Sequence, residues 1–134
     1  MKEKKTYPYN FPFEKLDVWK NAIELSKMVY DLTKSFPGDE KFGLTSQLRR
    51  SAVSVSSNIA EGTSRNTFTS KSHFVTVAFS SLMEVMSQLI LANELRFIQK
   101  DDLIPFREKI AHISNQLNNL KKFYQQQKAN DNEK

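Results

Sequence analysis

The chain has 134 residues, 39% of them hydrophobic, with a formal net charge of +5 and a pI of about 9.4. That length sets one domain, with a core large enough to stand without a staple. With no cysteine in the chain, a disulfide framework and a thiolate metal site are excluded. The modest basic excess permits nucleic-acid contact and does not require it. No apolar segment follows the basic start MKEKKTYPYN, so no signal peptide is expected. No uninterrupted apolar run approaches ~20 residues, so no transmembrane helix is expected either. A cytoplasmic location is the resulting expectation.

Residues 1–13 read as an arm. Pro8 and Pro12 oppose a helix, and Tyr7, Tyr9, Phe11 and Phe13 give the segment aromatic weight. So many rings predict packing against the folded body, its own or a neighbour's, with only the first five residues disordered. A first helix is predicted from about Glu14 to Ser35. Val18, Ala22, Leu25, Val29, Leu32 and Phe36 recur at steps of four and three, the period of one buried stripe. Pro37-Gly38 ends it, and Asp39 is a suitable N-cap for the next.

A second helix is predicted from about Glu40 to Ser64. Leu44, Leu48, Ala52, Val55 and Ile59 form its stripe, and most other positions are small or polar. Serine and β-branched residues are poor helix formers alone. Packing neighbours must stabilise this helix, and its thin side chains let them come close. Thr63 to Thr67 reads as a loop, with Thr67 or Thr69 as the cap of a third helix. That helix, from about Ser70 to Leu95, carries Phe74, Ala78, Leu82, Val85, Leu89 and Ala92 in one stripe. Val75, Phe79, Met83, Met86 and Ile90 widen the apolar arc, which predicts burial on more than one side. Gln99 to Asp102 is a turn, with Asp101 or Asp102 as N-cap. The fourth helix shows Leu103, Phe106, Ile110, Ile113, Leu117, Leu120 and Tyr124 at alternating steps. Pro105 is tolerated in its first turn. The tail after Gln125 loses this period.

The expected division is therefore an N-terminal arm at 1–13, a four-helix bundle at 14–125 and a disordered tail at 126–134. Helices of roughly 22–26 residues span about 33–39 Å. Short connections force antiparallel neighbours, so the fold class is all-α, an antiparallel up-down-up-down four-helix bundle.

Catalytic chemistry finds little support in the residues. A di-iron bundle needs Glu-x-x-His on two helices, and neither His73 nor His112 follows a glutamate at that spacing. Glu108 and His112 share a helix face but supply one pair. The serines of the second helix have no histidine nearby in sequence to act as base. Three glycines in the whole chain leave no glycine-rich phosphate loop. No enzyme, cofactor or metal is expected.

Charge is distributed unevenly. From Lys41 to His73 there are five cations against Glu61 alone, a local excess of +4. Arg49, Arg50, Arg65 and Lys71 are the candidates for phosphate contact. Adjacent positions on a helix point about 100° apart, so Arg49 and Arg50 cannot both face the core. Glu61 and Arg65 are placed for an i,i+4 ion pair. Asn58, Glu61 and Glu84 could instead form a polar network inside the bundle, and the residues alone leave both open.

Three segments, FEKLDVWKNAIELSKMVYDLTKSFP, FGLTSQLRRSAVSVSSNIAEGTSR and FVTVAFSSLMEV, carry a family resemblance. The chain resembles the 23S rRNA-intervening-sequence protein family from about Phe13 to Tyr124, most specifically in QLRRSAVSVSSNIAEG. The resemblance implies a four-helix bundle assembled as a homopentamer. It also implies kinship with the accessory variability proteins of diversity-generating retroelements, basic pentamers that bind nucleic acid and partner with a reverse transcriptase. Two functions follow as expectations. One is a non-enzymatic oligomer binding RNA or DNA backbone through its basic surface. The other is a scaffold acting through self-assembly and a protein partner.

Overall fold

The computed structural model describes residues 10–132. The expectations for Tyr7, Tyr9 and the first five residues lie outside them. Among the described residues every regular element is helical: α1 at Asp17–Thr33, α2 at Leu44–Thr63, α3 at Phe68–Glu94 and α4 at Leu103–Asn132. Short 3₁₀ turns precede α1, α2 and α4 at Pro12–Lys15, Gly38–Glu40 and Lys100–Asp102. Helices adjacent in sequence pack on each other, and α1 closes against α4. Each helix gives its stripe to one core. Leu25 and Val29, Leu48, Val55 and Ile59, Leu82, Val85 and Leu89, and Ile113 and Leu117 are fully buried there. Burying each side chain of this size contributes roughly 1.5–3 kcal/mol.

The helix ends depart from the sequence reading for local reasons. The first helix does not run from Glu14 without a break, because Leu16 is extended between the 3₁₀ turn and α1. Asp39 is not the cap of α2. The chain makes a 3₁₀ turn first, and the Glu40 carboxylate accepts from the Leu44 amide at 2.9 Å. Gly43 is the last residue before α2, and a Cβ there would stand 2.5 Å from that carboxylate. Thr67 caps α3, its hydroxyl accepting from the Ser70 amide at 3.1 Å. Arg96, at φ 65°, ends it. The Arg96 and Phe97 amides bond back to the carbonyls of Asn93 and Ala92, each at 2.9 Å, a left-handed helix stop that usually takes glycine. The expected tail at 126–134 is corrected up to Asn132, where α4 ends, and its last two residues lie outside the described ones.

The α2–α3 seam is the most extensive in the bundle, and it is built from small residues. Ser51 and Ser81 are buried, and the hydroxyls of Ser54 and Ser81 bond at 2.8 Å. Ser51 reaches Glu84 at 3.3 Å, so contacts fall along α3 as they rise along α2, as antiparallel helices require. At the far end a Cβ on Gly62 would stand 3.2 Å from the Phe74 Cβ. The thin side chains of α2 thus permit the close approach expected of them. Phe74 itself is half-buried, and Val75 takes the core position assigned to it.

The wide arc of α3 is only partly covered. Met83, Ile90, Leu91 and Leu95 are exposed on its outer side. By length and composition alone α3 is long and apolar enough to cross a membrane, as core helices of bundles also can be. Here its buried stripe packs between α2 and α4.

Candidate nucleic-acid interface

Arg49 and Arg50 divide as helix geometry requires. Arg49 is half-buried and turns toward the end of α1. Its Nε donates to the Thr33 hydroxyl at 2.9 Å, and Nη2 to the Tyr30 carbonyl at 3.4 Å. The guanidinium lies 4.5 Å from the centre of the Tyr30 ring. Orphan carbonyls and the negative end of a helix dipole favour a cation there, so Arg49 fastens α2 to α1. Arg50 is exposed, and no hydrogen bond or ion pair engages it among the described residues.

Arg65 and Lys71 lie at the other end of α2. Arg65 pairs with Glu61 at 3.1 Å, donates to the Ser70 hydroxyl at 3.1 Å and lies 4.8 Å from the Phe74 ring. Lys71 donates to the Thr63 carbonyl at 2.8 Å, which satisfies the last turn of α2, and stands 5.7 Å from the ring of Tyr124. Burial raises the Tyr124 phenol above its ordinary pKa. The four sequence-selected cations therefore do not converge. About 20 Å of helix separates Arg50 from the Arg65–Lys71 end, and Arg49, Arg65 and Lys71 already hold partners within the chain.

Of the residues around Arg50, only Arg49 is among the four candidates. Tyr30, Lys41, Phe42, Thr45, Ser46, Arg49, Arg50 and Val53 line an open hollow of about 480 Å³ between the end of α1 and the start of α2. It holds three cations and no carboxylate. Phe42 is 89% exposed, with the Lys41 ammonium 5.6 Å from its ring centre. A phenylalanine between Gly38 and Gly43, outside any stripe, was the available signal. Lys41 counts in the regional charge but is not among the four candidates.

Asn58, Glu61 and Glu84 do not form one network. Asn58 donates to the carbonyl and hydroxyl of Ser54 at 2.8 and 3.0 Å. Glu61 has the i,i+4 pair with Arg65, and Glu84 accepts from Ser51. Glu108 and His112 line a separate shallow hollow with Met28, Pro105 and Lys109. Among the described residues no three histidine, aspartate or glutamate side chains gather as metal ligands would.

A family model described as 23S rRNA-intervening sequence protein matches residues 14–119, covering α1 to α3 and the first half of α4. The chain belongs to this family. A solved structure with the same architecture is a protein of unknown function from the S23 ribosomal protein family of Bacteroides thetaiotaomicron. It is 18% identical, with a TM-score of 0.55, over 83% of this chain and 97% of that one. At that identity the likeness speaks for the fold. No curated protein matches the chain. Within the family's span lie both the serine-rich seam of α2 and the hollow around Arg50.

Proposed function

We propose that the protein is a non-enzymatic, cytoplasmic, oligomeric helical bundle that binds RNA or DNA backbone through the basic hollow at the α1–α2 junction. The observation that carries this reading is a carboxylate-free hollow whose outer cations, Lys41 and Arg50, have no ion-pair partner among the described residues. Unneutralised cations beside one another favour phosphate and release its counterions. Assembly would strengthen the effect. Five copies of a +5 chain bring roughly +25 to one ring, and several weak contacts then act together. The homopentamer rests on the family resemblance and on the exposed apolar side of α3.

The test is a titration of labelled structured RNA and duplex DNA at several salt concentrations. Binding that weakens steeply as salt rises supports the reading. No binding to either at low salt overturns it. A second reading is favoured by Met83, Ile90, Leu91 and Leu95. Their exposed side of α3 would seat a protein partner, a reverse transcriptase by family kinship, with no nucleic acid involved. Capture of such a partner, unchanged by nuclease treatment, supports this alternative.

A further inference from the structure

The hollow at the α1–α2 junction combines two features that serve different parts of a nucleotide. Lys41 and Arg50 supply charge, while Phe42 supplies an unburied aromatic face. At 89% exposure Phe42 gains almost nothing from the core, and it is the most exposed large hydrophobic side chain among the described residues. It lies between the 3₁₀ turn at Gly38–Glu40 and the start of α2, a stretch bridged by the Glu40 carboxylate, which accepts from the Leu44 amide. In the same lining the Arg49 guanidinium lies 4.5 Å from the Tyr30 ring centre, which adds a second aromatic surface. Every base has a π-face, so an exposed ring beside phosphate-seeking cations fits an unpaired strand. In a duplex the bases are stacked on one another and unavailable to such a ring.

Resting on the nucleic-acid reading above, we propose that the hollow is selective for single strands, with a base stacked on Phe42 and the flanking phosphates held by Lys41 and Arg50. Phe42 reads no sequence in this arrangement. It discriminates unpaired from paired nucleic acid.

The experiment uses the full chain with a fluorescein-labelled oligouridylate of about 20 nucleotides, and separately a labelled RNA duplex of the same length. The single strand binds more tightly than the duplex. Phe42→Ala weakens single-strand binding roughly tenfold, as loss of one stacked base does, and Phe42→Trp restores it. Phe123→Ala removes a ring 52% exposed on α4 and leaves binding within twofold. Equal binding of both probes, with Phe42→Ala within twofold of the wild type, overturns the stacking proposal while backbone binding stands. No binding of either probe at low salt overturns both. Light scattering on Phe42→Ala is the third arm. A fall in assembled mass that parallels the loss of binding makes Phe42 a subunit contact, and this too overturns the proposal.

Discussion

Arg49 and Arg50 are neighbours in sequence with opposite tasks. Arg49 makes two hydrogen bonds to the end of α1 and stacks on Tyr30, so its loss leaves a buried hydroxyl and a helix-end carbonyl with poorer partners. Arg49→Ala should lower unfolding stability by about 1–3 kcal/mol. Arg50→Ala should change it by no more than about 0.5 kcal/mol, as an unengaged surface position does. Urea melts of the two variants check this, and equal costs would contradict the division. The sequence required that one of the two leave the core, through the 100° step between them, but not which one. That choice depends on where α1 ends, because Thr33 and the Tyr30 carbonyl are the groups that draw Arg49 inward. Lys71 was unreadable for the same reason. Its partner, the Thr63 carbonyl, becomes available only because α2 stops there.

At the scale of elements, α2 and α3 are joined by absence of bulk. A Cβ on Gly62 would stand 3.2 Å from the Phe74 Cβ and 3.4 Å from the Lys71 carbonyl oxygen, both fixed to the α3 backbone. Gly62→Val should therefore cost about 1–3 kcal/mol by forcing the helices apart. Gly38→Ala, where nothing lies within 4 Å, is the matched control and should be close to neutral. Thermal melts that show equal effects would contradict close approach at Gly62. The helices themselves were legible from their stripes, because Leu48, Val55, Leu82 and Ile113 recur at the helical period and are all buried. Their ends were less so. Glu40 caps from four residues before Leu44 instead of from the expected Asp39, and Arg96 takes a left-handed stop with no glycine to mark it. The last turns of α4 carry almost no apolar residues, so periodicity fell silent while the helix went on.

Over the whole molecule, the basic hollow and the uncovered side of α3 are made by different elements. The basic hollow opens at the α1–α2 junction, while the uncovered apolar positions Met83, Ile90, Leu91 and Leu95 line the outer side of α3. Light scattering at micromolar concentration should give roughly 78 kDa, five times the 15.5 kDa chain. The double variant Met83→Glu, Ile90→Glu should reduce it toward one chain, whereas a monomeric wild type would contradict assembly. The most direct measurement is the salt dependence of RNA binding by fluorescence anisotropy, for wild type, Lys41→Gln/Arg50→Gln and Arg65→Gln/Lys71→Gln, each shown to be folded by its thermal melt. The wild type should bind with a steep negative log–log slope. The Lys41/Arg50 variant should bind more weakly with a slope shallower by roughly 0.7 per lost phosphate contact on a single strand. The Arg65/Lys71 variant should keep the wild-type slope. No binding by the wild type at low salt would contradict the account, as would a slope that changes only when Arg65 and Lys71 are removed.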